Sequence, residues 1–289
     1  MRTIKRVIGA PKVNMGGIIL DQPLPVRGVE QIDPFLLVHH WKHTHRGGQH
    51  QRDLGVGPHP HRGFAPVTFI FNGGVHHQDS RGNNSIVEAG GTQWMNSGMG
   101  IVHSERPTKE IAENGGEFEI IQLWVNAPAK NKMDPPSYQS LTKEDTPSVM
   151  SDDDKIEISI VAGEFNGIKG KIKPYTSLLA MRLNIEKGGK IKIPVPDNYN
   201  AFLYQLDGSL KIAGGNKTFA KDLTWFNNDG KYIEIEGIED TRAILLGGEP
   251  INEKVISYGP FVMNTQSEIM QAMADYQKGA MGVLVEEFD

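Results

Sequence analysis

Two short patterns in the chain carry residue types that bind metals. His59-Pro-His61 is one, and His103-Ser-Glu105 is the other. On an extended strand, residues i and i+2 point to the same face, so each pattern can present two ligands inward from one strand. Together they offer three imidazoles and one carboxylate. That set suits a borderline divalent ion such as Fe(II), Mn, Co, Ni, Cu or Zn. It is a poor match for Ca or Mg, which prefer oxygen ligands. Four protein ligands around an octahedral ion leave two positions for water, O2 or substrate, whereas a tetrahedral zinc would be closed. The ligand count therefore favours an open iron site over zinc.

All ten histidines lie between His39 and His103, and the rest of the 289 residues have none. His39, His40, His43, His45 and His50 form a second cluster. They read as a mobile solvated loop, or else as an adventitious metal binder or a lid near the mouth of the first barrel. His76 and His77 sit in a strand-like segment, where alternation lets only one of the two face inward.

Other chemistries are excluded. The chain has no cysteine, which rules out disulfides, thiolate zinc sites, iron–sulfur clusters and a cysteine nucleophile. The glycine-rich stretches at 72–74 and 89–91 lack the Lys and the strand–helix context of phosphate loops, and no Gly-x-Ser-x-Gly elbow occurs. Net charge is −5. Residues 1–130 hold 13 Lys and Arg against 11 Asp and Glu, so even the more basic part lacks the balance of a nucleic-acid binder. No apolar run spans a bilayer, and the first twenty residues make a poor signal peptide. The expectation is a cytoplasmic monomer with no membrane partner and no direct nucleic-acid partner.

The elements that must position these residues are short strands separated by turns. Residues 67–71, the turn Asn72-Gly73-Gly74 and residues 75–79 read as a hairpin. Further strands are expected at 85–87, 93–95, 100–105, 117–126, 156–161, 178–185, 190–195, 201–206, 210–213, 223–226 and 242–246. Residues 127–155 read as a polar connection. Thr265-x-x-Glu268 is a capping box that opens a helix carrying Ile269, Met273 and Tyr276, with Gly279 as its C-terminal stop. Phe71-Asn-Gly-Gly-Val75 is echoed by Leu206-Asp-Gly-Ser-Leu210, and Trp94 by Trp225. Two tandem copies of one barrel would explain both echoes. The expected fold is all-β: two tandem antiparallel barrels of jelly-roll type with a short C-terminal helix. A metal-binding barrel would occupy residues 1–130 and a second barrel, with the helix, residues 131–289.

Pro58-His-Pro-His-Arg-Gly-Phe64, Asp79-Ser80-x-Gly82 and Gln93-Trp-Met-x-x-Gly98-x-Gly-Ile-Val-His-Ser-Glu105 closely resemble the signature of the pirin family, within the cupin superfamily. The resemblance is dense over residues 55–106 and looser from the N-terminus to about residue 250. It implies a bicupin with one Fe(II) in the N-terminal barrel, held by His59, His61, His103 and Glu105. It also implies oxidation of quercetin or a similar flavonol by O2 with release of CO. The alternative that the family offers is a non-catalytic, iron-binding regulator acting through a protein partner. Other divalent transition metals would fit the same ligands. In the second copy, offsets of 135 and 131 carry the four ligand positions onto Pro194, Pro196, Glu234 and Glu236, a poor iron site.

Under that resemblance Glu105 is the catalytic base for the flavonol hydroxyl, leaving or loosening from the metal to take its proton. Arg62, Ser104 and Gln122 are candidates to support the ligands. Arg62 would hold Glu105 or a substrate oxygen, or else sit in a surface ion pair. Phe64, Trp94, Met95 and Met99 would line an apolar slot for a flat aromatic ligand, or else belong to the barrel core.

Overall fold

The computed structural model describes residues 1–288. Strands dominate, and the two α-helices are Lys109–Asn114 and Gln266–Gln277. Among the described residues no helix is long and apolar enough to cross a membrane. The chain forms two compact units that are not successive halves. One takes residues 1–39 and 144–250, and the other residues 40–143 and the chain from Ile251 onward. The line drawn at residue 130 from the sequence gives the first and last segments to the opposite units.

The first unit sets a seven-stranded antiparallel sheet (Ile4–Gly9, Asp222–Phe226, Asn200–Gln205, Thr241–Gly248, Leu178–Ile185, Ile156–Ala162, Ser148–Met150) against a four-stranded one (Lys190–Pro194, Tyr232–Gly237, Ser209–Ile212, Asn216–Phe219). Alternation drives the packing. Ile156, Ile158 and Ile160, Met181, Leu183 and Ile185, and Ile233 and Ile235 all fall on inward faces and join one buried aliphatic cluster.

The second unit has the same plan. A four-stranded sheet (Val56–His61, Ile101–Pro107, Gly74–Asp79, Asn84–Glu88) faces a second sheet that contains Ser137–Leu141, Thr92–Asn96, Phe64–Asn72 and Gly116–Asn126. Ile70, Val75, Val87, Ile111, Phe118 and Ile120 fill part of its interior.

Two expectations are corrected here. Phe64–Asn72 and Gly74–Asp79 belong to different sheets, so the glycines between them make a corner and not a hairpin turn. Gly73 has φ +74°, and a Cβ there would overlap Ile111 Cδ1. The echo at 206–210 is the same corner: Asn200–Gln205 and Ser209–Ile212 also lie in different sheets, joined through Gly208 at φ +69°. The polar stretch 127–155 contains two strands, Ser137–Leu141 and Ser148–Met150, whose short polar sequences hid them.

The helix Gln266–Gln277 forms with its capping box intact. Ile269 and Ala272 are buried, joining Phe261, Met263 and Met281 against Val102. The helix thus covers the outward face of the Ile101–Pro107 strand, while His103 points the other way.

Candidate metal centre

Val56–His61 and Ile101–Pro107 run antiparallel, with His59 opposite His103 and His61 opposite Ile101. That register gathers three imidazoles on one inward face. Ring centroids are 4.7 Å apart for His59–His61, 4.4 Å for His59–His103 and 5.0 Å for His61–His103. One ring nitrogen from each lies within 4.8 Å of the others.

The other edge of each ring is anchored. His59 Nδ1 lies 2.8 Å from the Gly57 carbonyl oxygen and His61 Nδ1 3.4 Å from that of Pro260, while His103 Nδ1 lies 3.5 Å from His77 Nδ1. The Nε2 atoms of His61 and His103 are buried with no hydrogen-bond partner. A buried polar atom left unpaired costs about 1–3 kcal/mol, and a divalent ion between the rings would satisfy both. Burial, reinforced by the neighbouring imidazoles, holds His61 and His103 well below the ordinary histidine range, and burial also lowers His59. That direction favours the neutral ring, the form in which histidine binds a metal. The donor set fits a borderline divalent transition-metal ion.

Glu105 is two residues beyond His103, after a shift in register between those two residues. Its carboxylate is held by donors from the opposite sheet. Thr68 Oγ1 donates to Oε1 at 2.6 Å, and Gln122 Nε2 donates to Oε2 at 2.6 Å. Thr68 and Gln122 are direct cross-strand partners, so one rung of the sheet supplies both donors. The cluster of mutually close ligand atoms consists of the three imidazoles without Glu105.

Of the supporting residues expected from the sequence, Gln122 holds Glu105. Phe64 stands edge-on to His61 at 5.0 Å. Met95 is buried on the same face of its strand as Gln93, which pairs with Thr68. Four others are elsewhere. Arg62 follows His61 and so turns away from the imidazoles. It donates from Nε to the Met99 carbonyl at 2.6 Å and pairs with Asp275 at 2.8 Å, tying the helix down. Ser104 lies on the face opposite His103 and Glu105. Trp94 is fully buried opposite Val67, on the far face from Gln93, with its Nε1 donating to Asn96. Met99 is exposed, at 40%.

Trp124, Thr68 and Tyr138 are neighbours of the site that were not singled out in the sequence. Trp124 packs against Phe64 at 4.3 Å with the rings tilted by 35°, and meets His61 edge-on at 5.5 Å. Thr68 holds Glu105. His77 is the inward member of its pair, as alternation required. Its Nε2 lies 3.1 Å from Asp79 Oδ2, and its ring is stacked on Tyr138 at 4.2 Å and 10°. Burial pushes the Asp79 carboxyl up, but hydrogen bonds from His77, Asn83 and the Arg81 N–H outweigh it, so the net shift is downward. Burial pushes the Tyr138 phenol up, and its hydroxyl pairs with Ser85 Oγ at 2.7 Å. The register that joins these strands gave no signal in the sequence.

The second histidine cluster is not a loop. His39, His40, His43 and His45 belong to the eleven-residue strand Phe35–His45. His40 is buried against Glu119 at 3.0 Å, and His50 Nδ1 accepts the Arg52 N–H. In the first unit, the strands matching the metal strands place Ile193 opposite Ile233, and both are buried. Glu234 and Glu236 alternate with them on the outer face, paired with Lys192 and with Lys190 and Lys211. The offsets read from the sequence were one residue out of step, enough to move each position to the other side of the sheet.

Known proteins resemble the chain over nearly its whole length. Residues 19–125 match the family model described as Pirin, and residues 180–282 match the one described as Pirin C-terminal cupin domain. A pirin-like protein of Solanum lycopersicum is 34% identical over 282 residues, covering 96% of this chain and 92% of its own. The pirin of Homo sapiens is 34% identical over 259 residues, covering 88% and 84%. A crystal structure of quercetin 2,3-dioxygenase from Acinetobacter baumannii superposes with a TM-score of 0.93 at 32% identity, covering 99% of this chain and 100% of that one.

Proposed function

This chain belongs to the pirin family, a bicupin family, and on that footing we propose that it is an Fe(II)-dependent dioxygenase that opens a quercetin-like flavonol with O2 and releases CO. The observation that carries the reading is the set of three anchored imidazoles, two of them with an unpaired buried Nε2, beside a carboxylate that two donors hold in place. The name of the Acinetobacter protein supports the choice of substrate class.

His59, His61 and His103 hold the ion in this reading, with Glu105 as the fourth ligand or as the base beside it. When bound, the ion supplies Lewis acidity toward a substrate hydroxyl and a redox partner for O2. The chain's residues do the rest. Glu105 takes the flavonol hydroxyl proton on a carboxylate oxygen. Thr68 and Gln122 keep that carboxylate aimed. Phe64 and Trp124 offer an aromatic wall against which a flat ligand can lie.

The test is anaerobic loading with Fe(II), followed by quercetin and O2, with the flavonol absorbance followed and CO trapped. Metal-dependent loss of quercetin with CO in the headspace is the expected result. Tight iron binding without turnover would overturn the dioxygenase reading and favour a regulator that works through a protein partner.

A further inference from the structure

We propose that His77 and Asp79 set the tautomer and orientation of His103, so that the metal-facing imidazole is fixed by a carboxylate–imidazole relay. The proposal rests on the reading of His59, His61 and His103 as ligands, and it concerns two residues which that reading leaves without a role.

The geometry allows one consistent assignment of protons. A neutral imidazole has one N–H. If His103 offers the Nε2 lone pair to an ion, its proton is on Nδ1. The atom facing that Nδ1 is His77 Nδ1, at 3.5 Å, which must then accept. The His77 proton is thereby placed on Nε2, where Asp79 Oδ2 accepts it at 3.1 Å. Asp79 is built to stay an acceptor. Its Oδ1 takes the N–H groups of Arg81 at 2.8 Å and Asn83 at 3.1 Å, and its Oδ2 also takes Asn83 Nδ2 at 2.7 Å. Both relay residues are buried, at 1% and 3% exposure, and the Tyr138 ring stacked on His77 keeps its plane fixed. His59 and His61 lean on backbone carbonyls, so His103 is the ligand whose second nitrogen depends on side chains. Such outer hydrogen bonds fix ring orientation and raise ligand basicity, and their loss typically weakens metal binding about 10–100-fold.

Two substitutions test this. His77→Phe keeps a ring against Tyr138 and removes both nitrogens. Asp79→Asn keeps the shape, and its carbonyl can still take the two backbone N–H groups. Its amide then points donors at His77 Nε2, which forces the His77 proton onto Nδ1, toward His103. Ni(II) binding is measured by calorimetry on folded apo-protein, and the histidine ring nitrogens are read by 15N NMR. The expected result is Ni(II) affinity about tenfold to a hundredfold weaker in both variants, and His103 carrying its proton on Nδ1 in the wild type. Affinity within twofold of wild type in either folded variant would overturn the relay. So would an Nε2–H tautomer of His103 in wild-type apo-protein, a measurement that stands even if both variants misfold. Failure of wild type to bind Ni(II) would instead overturn the ligand assignment, so the two readings fail separately.

Discussion

At the scale of single residues, the chemistry was legible where it is local. His59, His61 and His103 are drawn together by the two-residue period of two strands, which a sequence displays directly. The residues that support them come from other strands. Thr68, His77, Trp124 and Tyr138 reach the site through register and sheet packing, which no short pattern encodes. The same period explains why Arg62 and Ser104, each one step from a ligand, face away. Nearness in sequence to a ligand is a poor guide to nearness in space on a strand. Glu105 is the residue whose role is most exposed to test. Glu105→Gln keeps the size and one acceptor for Thr68 but removes the base. The expected outcome is a folded protein that retains bound iron and loses about 10²–10⁴-fold in single-turnover flavonol oxidation. Unchanged turnover would remove Glu105 as the proton acceptor.

At the scale of elements, the strands of the interior were readable from alternation, and the helix from its capping box. What misled was the glycine turn at 72–74. A turn of that composition between two strand-like runs signals a hairpin, yet here the strands go to different sheets. Composition reports that a tight turn exists, and packing decides what it connects. The corner is demanding because Gly73 has a positive φ, and a Cβ added there would lie 2.4 Å from Ile111 Cδ1 and 2.9 Å from the Glu117 carbonyl oxygen. Gly73→Ala is expected to cost about 2 kcal/mol or more, read as a lower urea midpoint at an unchanged slope. Alanine at Gly116 has φ +139° to contend with but nothing within 4 Å of its Cβ, so its cost should be smaller.

At the scale of the whole molecule, two units share one plan and differ in what fills the interior. One places imidazoles where the other places isoleucines, as His103 against Ile233 shows. The predicted metal content is therefore one ion per chain, measured by elemental analysis after loading and desalting. Two tightly held ions per chain would contradict it. Duplication was visible in the sequence through the two corner echoes, but the exchange of terminal segments between units was not. A contact such as Val102 with Phe261 and Ile269 joins residues far apart in sequence and leaves no trace in periodicity.

That exchange has a consequence for a chain made in order on the ribosome. The aliphatic unit has all its residues once Pro250 has been added, while the histidine-bearing unit still lacks its outer cover. Val102 waits, exposed, for the final segment to be translated, although its own strand was made long before. A premature stop codon shortly after position 250 would thus spare the barrel without the three clustered imidazoles and strip the one that bears them.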